Sequence, residues 1–233
     1  MSLKDWNTQG KTILVDKPLH WTSFDVVKKL RWHLRQKLEV KKIKVGHAGT
    51  LDPLATGLLV ICIGKHTKKI DEIQAGVKTY TGKFLLGKTT PSYDLETEYD
   101  GDYQIDHITP EMLEEVRNGF LGEQDQIPPV FSAKQIDGKR AYDIARAGGE
   151  VVMKAHRIRI EAFAIETQNF PELNFEVRCS KGTYIRSIAH DFGQRLHSGS
   201  TLIELRRTAS GEFGVEDALS VEEWIEIIEN TAV

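Results

Sequence analysis

Apolar residues recur along this chain with two periods. Between residues 23 and 38, Phe24, Val27, Leu30, Leu34 and Leu38 return at steps of three and four. That spacing predicts a helix with one buried stripe and its Lys and Arg side chains on the other face, with Ser23 as its N-cap. Alternation by two marks residues 157–165 and 173–179 as half-buried strands. In the second, Leu173, Phe175, Val177 and Cys179 share one face while Asn174, Glu176 and Arg178 share the other. The unbroken apolar run 58–63 predicts a fully buried strand. Weaker patterns predict strands over 12–15, 43–45, 79–86 and 202–207, an extended segment over 130–136, and helices over 66–74, 140–146 and 184–196. Thr109-Pro110 opens a further helix, with the proline in the first turn where its missing N–H costs nothing. Ser220 and Glu223 form a capping-box pattern for a last, acidic helix over about 221–230. Adjacent strands interspersed with helices predict an α+β fold with a mixed, mostly antiparallel sheet. No repeat, low-complexity segment or long linker divides the chain, so a single domain over 1–233 is expected.

Composition narrows the class. With 40% hydrophobic and 28% charged residues among 233, the chain reads as an ordinary globule rather than a fibre or a disordered tail. Its longest apolar run falls far short of the ~18 residues that cross a bilayer. The N-terminus carries no apolar signal core, which predicts a cytoplasmic protein without a membrane partner. Cys62 and Cys179 lie far apart in apolar contexts, and no Cys-x-x-Cys pair exists, so neither a disulfide framework nor a thiolate metal site is expected. No heptad seam appears, and a monomer is predicted.

The net charge of −3 conceals an asymmetry. Lys28, Lys29, Arg31, Arg35, Lys37, Lys41, Lys42 and Lys44 crowd one stretch against Glu39 alone, whereas the chain beyond Glu216 has acids and no Lys or Arg. Such a block is either a solvated face or a local surface for phosphates, since attraction acts within about 8–10 Å.

Three places conflict with a purely structural reading. Residues 46–57 form a loop of Gly, Thr, Asp and His, longer than a turn requires. Asp52 precedes Pro53, which stiffens the backbone beneath its carboxylate. Ordered loops on rigid sheets are where catalytic groups tend to sit. His47 in the same loop is either a hydrogen-bonded loop residue or a base. With Thr183 as an N-cap, Arg186 would occupy the third position of a helix, opposing the positive end of its dipole by roughly 0.3–1 kcal/mol. It either points to solvent or needs a carboxylate or phosphate nearby, and Asp52 would serve. Tyr80, on a strand, is either core or site depending on its neighbours.

These residues together resemble a known family. The run Gly46-His47-Ala48-Gly49-Thr50-Leu51-Asp52-Pro53-Leu54-Ala55-Thr56-Gly57 resembles the signature of the TruB family of tRNA pseudouridine synthases. Asp16-Lys17-Pro18 with Thr22-Ser23, Tyr80 with Leu86-Gly87, and Ile127-Pro128-Pro129 with Ser132-Ala133, Gly138 and Tyr142 follow in the family's order. So do Cys179-Ser180-Lys181-Gly182-Thr183-Tyr184-Ile185-Arg186 and Leu205-Arg206-Arg207. The motifs span residues 16–207. The resemblance implies the pseudouridine synthase fold and isomerisation of uridine 55 in the T-arm loop of tRNA. It implies Asp52 as the catalytic aspartate, Tyr80 against the target base and Arg186 paired with Asp52. It also implies that His47, Tyr184 and Leu205 line the RNA site, and Lys17 is expected there too, with Lys41 and Lys42 holding phosphates.

The chemistry suits these residue types. Breaking the C1′–N1 bond and rejoining the base through C5 changes no oxidation state, so neither cofactor nor metal is expected. A carboxylate can attack an electron-poor sugar carbon or take up a proton. The uridine must first be flipped out of its stack. Two other readings remain at this stage: an RNA-binding module without catalysis, and a carboxylate glycosidase or nucleosidase. Two departures from the family stand out. Many members carry a further C-terminal module of the PUA type, and here an acidic helix follows instead, which predicts a form without it. Thr90-Pro91-Ser92-Tyr93-Asp94 replaces the usual Thr-x-Thr-x-Asp, a change expected not to touch Asp52, Tyr80 or Arg186.

Overall fold

The computed structural model describes residues 2–132, the backbone of 135–136 and 139–140, and residues 153–233. In chain order these form α1 (Leu3–Thr8), β1 (Lys11–Lys17), α2 (Ser23–Leu38), β2 (Val45–His47), β3 (Ala55–Ile63), a 3-10 turn (Gly64–Lys69) and α3 (Ile70–Ala75). Then come β4 (Lys78–Leu86), the short β5 (Lys88–Thr89) and β6 (Gly101–Asp102), α4 (Pro110–Asn118), β7 (Gly122–Gln126), β8 (Gln135–Ile136) and β9 (Lys139–Arg140). The chain closes with β10 (His156–Asn169), β11 (Glu172–Cys179), α5 (Ile185–Arg195), β12 (Ser200–Ser210), β13 (Phe213–Gly214) and α6 (Val221–Asn230). They build two compact units: Met1–Tyr80 with Leu205–Val233, and Thr81–Glu204.

In the first unit β3 is the central strand. It runs antiparallel to β1, with Lys11 opposite Ile63 and Lys17 opposite Gly57, and antiparallel to β2, with Val45 opposite Ile63. The end of β12 lies parallel to it, Leu205 beside Ala55 and Arg207 beside Gly57. Both faces of β3 are covered. Leu59, Ile61 and Ile63 join a core completed by α1, α2 and α6, while Leu58 and Val60 pack with Ala48 on the other side. This two-sided burial is why residues 58–63 read as an unbroken apolar run rather than an alternating one.

In the second unit β10 pairs antiparallel with both β7 and β11. Leu173, Phe175, Val177 and Cys179 are all buried, as their alternation predicts. An aromatic core forms beneath them, where Phe84 stacks on Phe175 at 4.2 Å and Phe120 lies against Phe192 at 6.0 Å. The sheet is thus mixed and mostly antiparallel, with helices packed on it, as expected.

Several local expectations need correction. Thr22, not Ser23, is the N-cap of α2, closing a capping box with Asp25, and Ser23 is buried for another purpose described below. Phe24 is 56% exposed, because the buried arc of α2 extends toward Ser23 and Val26 and leaves Phe24 beyond its opposite edge. The strand expected over 43–45 begins at Val45, and the helix expected over 66–74 is a 3-10 turn followed by α3. Helix α1 was not foreseen. Ser2 and Asp5 cap it reciprocally, and Leu3 and Trp6 tie it to the core. The helix expected over 140–146 lies outside the described residues beyond Arg140, which ends β9, and so do Ala133, Gly138 and Tyr142.

Candidate active site

Asp52 sits at the mouth of β3 on a turn closed by a hydrogen bond from Ala55 N to Asp52 O at 3.0 Å. Its side chain is only partly buried, while the backbone around it is held from several directions. Arg207 is almost fully buried and spreads its guanidinium over the loop's carbonyls. Nε donates to Leu58 O at 2.7 Å, Nη2 to Gly49 O at 3.1 Å and Nη1 to Thr50 O at 3.5 Å. Ser23 Oγ accepts from Leu51 N at 2.8 Å and donates to Leu51 O at 3.1 Å, which pins the residue before Asp52. His20 N donates to Pro53 O at 2.8 Å. Arg206 forms a bidentate pair with Asp16 at 3.0 and 2.6 Å, anchoring β12 to β1.

Two glycines make this cradle possible. Gly57 has φ +96°, and a Cβ there would meet Arg207 O at 2.3 Å; Gly49 has φ +103° directly beneath the Arg207 guanidinium. Only glycine enters that backbone region without strain. The motif's glycines therefore serve the close approach of β12 and its arginine.

Lys17, expected at the RNA, is instead fully buried. Its ammonium donates to Pro18 O at 2.8 Å, Trp21 O at 2.5 Å and Pro53 O at 3.5 Å, so it holds the Pro53 turn from behind. Burial lowers its pKa to about 8, with the Asp52 and Asp25 charges opposing that shift and Arg207 adding to it. Between pH 8 and 10.5 the unfolded chain keeps a proton that the folded chain has released, so stability rises with pH across that window. At ~1.4 kcal/mol per pKa unit, wild type should gain up to about 3 kcal/mol relative to Lys17→Met between neutral pH and pH 10.5. Denaturant titrations of both proteins across that range measure it, and parallel curves would refute the assignment.

His47, on β2, is partly buried, with Nδ1 enclosed and without a hydrogen-bond partner among the described residues. Burial, and then the Arg207 charge, lower its pKa, which keeps the ring neutral. Leu205 lies beside Ala55, three residues from Asp52, and Thr56 Oγ1 donates to its carbonyl at 3.5 Å. Tyr80, on β4, is largely buried. Lys41 and Lys42 are exposed in the segment between α2 and β2.

In the second unit Arg186 is 5% exposed and joins two segments of chain to its own helix. Its Nη1 donates to Phe131 O at 2.8 Å and Ser92 O at 3.4 Å, and its Nε lies 3.6 Å from Asp94 Oδ2. Two expectations change here. Tyr184 is the N-cap of α5, so Arg186 stands at the second helical position, and it does not point to solvent. The altered Thr90–Asp94 segment does touch Arg186, through both Ser92 and Asp94. Tyr184 is fixed by Gln126, whose Oε1 accepts from Tyr184 N at 2.8 Å and whose Nε2 donates to Tyr184 O at 3.0 Å.

Sequence reasoning missed four supports: Arg207 beneath the loop, Ser23 against Leu51, the Asp16–Arg206 pair and Asp94 beside Arg186. All lie within or next to the quoted motifs, which was the available signal. It also missed an aromatic patch beside the Pro53 turn, where His20, Trp21, Lys28, Lys29 and the 54%-exposed Trp32 line a cavity of about 450 Å³. No described helix is long and apolar enough to cross a membrane, and no metal-binding cluster of His, Cys, Asp and Glu occurs among the described residues.

Comparison with known proteins places this architecture. Residues 35–185 match the TruB family pseudouridylate synthase N-terminal domain. The chain is 53% identical over 221 residues to tRNA pseudouridine synthase B of Phocaeicola vulgatus, covering 94% of each chain. It is 52% identical over 214 residues to the protein of that name from Flavobacterium johnsoniae, covering 91% of this chain and 93% of the relative. Among solved structures, a chain of a Cbf5–Nop10–Gar1 complex superposes with a TM-score of 0.71 at 26% identity, over 97% of this chain and 56% of the other. With the signature loop, its arginine cradle and this likeness over nearly the whole length, the chain belongs to the TruB family of pseudouridine synthases.

Proposed function

We propose that this protein isomerises uridine 55 in the T-arm loop of tRNA to pseudouridine, acting as a cytoplasmic monomer that needs no cofactor. The observation that carries the reading is the carboxylate of Asp52, partly open on a turn whose backbone is fixed by Arg207, Ser23, His20 and Lys17. Likeness over 94% of the chain to proteins called tRNA pseudouridine synthase B supports the substrate. The two units together constitute one catalytic domain.

In this reading the target uridine is flipped from its stack, at a cost of a few kcal/mol, into a pocket where Tyr80 lies against the base. Asp52 attacks the nucleotide or takes a proton as the C1′–N1 bond breaks, and the family resemblance assigns Arg186 to the same reaction. The base turns, C1′ bonds to C5, the hydrogen on C5 leaves to water and N1 takes up a proton, so atoms and electrons balance. Neutral His47 borders the space vacated by the flipped base, and Tyr184 and Leu205 line the RNA site. Lys17 contributes through the Pro53 turn it holds. The exposed Phe24 and Trp32, with Lys28 and Lys29 between them, offer faces for unpaired loop bases. Lys41 and Lys42 hold phosphates.

The test is an unmodified tRNA transcript carrying tritium at uracil C5. Incubation with the protein should release one equivalent of tritium and leave a single pseudouridine at the T-loop position. Free uracil would identify a glycosidase instead, and RNA binding without tritium release would identify a non-catalytic module.

A further inference from the structure

A second concavity lies in the first unit, with a volume of about 630 Å³. Seven cationic side chains line it: Arg31 and Arg35 from α2, Lys41, Lys42 and Lys44 from the segment before β2, and Lys65 and Lys68 from the 3-10 turn. No carboxylate is among its lining residues, and none of the seven forms an ion pair among the described residues. Their neighbours on α2 behave otherwise. His33 pairs with Glu229 at 2.8 Å and Lys37 donates to Glu229 O at 2.5 Å, so α6 engages that side of the helix and leaves Arg31 and Arg35 to the cleft. Three separate elements thus converge like charges on one hollow, against their mutual repulsion. A local rule broken with no ion pair to offset it marks a functional surface.

Its location is informative. Gly64 N donates to Lys44 O at 2.8 Å, which fixes the cleft at the far end of β3, whereas Asp52 forms the turn at the near end, before Ala55. The nine residues of β3 between them, at ~3.3 Å each, separate the two by about 30 Å. A flipped nucleotide at Asp52 cannot also reach this cleft. A duplex advances ~3.4 Å or less per base pair, so about nine or more pairs lie between the two points.

We infer that this cleft is a second RNA site, which grips the phosphodiester backbone of a helical segment outside the modified stem-loop. The inference rests on the tRNA reading above and adds where another stretch of that RNA lies. A short stem-loop ends before it reaches the cleft, and only a longer folded RNA occupies both places.

The experiment compares full-length tRNA with a T-arm stem-loop of about five base pairs, using wild type and the double variant Lys65→Glu, Lys68→Glu. Wild type should prefer full-length tRNA in kcat/KM, and the variant should lose about 10–100-fold of that preference, through KM rather than kcat. Filter binding of full-length tRNA should show the slope of log K against log salt reduced by about two, one for each phosphate contact removed. Equal losses on both RNAs, or an unchanged salt slope, would overturn the inference. Binding is measured without turnover. A wild type that binds tRNA with this slope but releases no tritium would therefore refute the catalytic reading and leave the cleft standing.

Discussion

Asp52→Asn should abolish pseudouridine formation while leaving the fold and the grip on tRNA in place. The substitution is isosteric, and the side chain it alters is partly exposed rather than embedded in the core. The backbone of the turn is held by groups other than the Asp52 side chain. Arg207 binds the carbonyls of Gly49, Thr50 and Leu58, Ser23 binds Leu51, and Lys17 and His20 bind Pro53. The stability change should therefore stay within about 0.5–1 kcal/mol. An amide, by contrast, neither attacks the sugar carbon nor accepts the proton. Tritium release from C5 should fall on the order of 10⁴-fold or more, the scale seen when an acting carboxylate is removed from other enzymes. The measurement pairs single-turnover tritium release with tRNA affinity. Lost turnover with retained affinity is the expected split, and undiminished release would remove Asp52 from the chemistry.

The parts of this structure legible in advance are those where one short-range rule dominates. Strict alternation from Leu173 to Cys179 needs only that one face be buried, and it is. The Ser220–Glu223 cap is closed by residues three apart, and its geometry is local. What escaped depends on partners distant in sequence. Ser23 looked like a cap because Ser favours that position, yet its hydroxyl is taken by Leu51, 28 residues away. Lys17 was expected at the RNA as part of a motif that resembles an RNA-modifying family's. It is buried instead, with its ammonium directed at the carbonyls of Pro18, Trp21 and Pro53. The signature loop was recognisable as functional, but its cause was not. Arg207, some 150 positions later, approaches Gly57 too closely for any side chain and lies over Gly49, where the positive φ already favours glycine. The basic stretch after Lys28 was visible as composition, whereas its closure into a cleft required Lys65 and Lys68 from beyond β3.

Arg186→Met should destabilise the protein by about 3–5 kcal/mol, because it takes the guanidinium away from the buried Asp94 carboxylate and a donor away from Phe131 O. For a chain of this size, at ~2–4 °C per kcal/mol, the melting temperature should drop by roughly 6–20 °C. Loss of activity in that variant alone would say little about catalysis, since the loop at Ser92–Asp94 and the segment at Phe131 lose their common anchor. The separation comes from a second substitution. Arg186→Met with Asp94→Leu removes both charges, and replacing a buried pair by apolar groups is often neutral or stabilising, so much of the melting temperature should return. If Arg186 also serves the reaction, the repaired fold remains inactive on tRNA. If its work is confined to the loop, activity returns with stability. A melting temperature for Arg186→Met within a degree or two of wild type would show that the pair does not organise this unit. The altered Thr90–Asp94 segment would then be bound to Arg186 without being held by it.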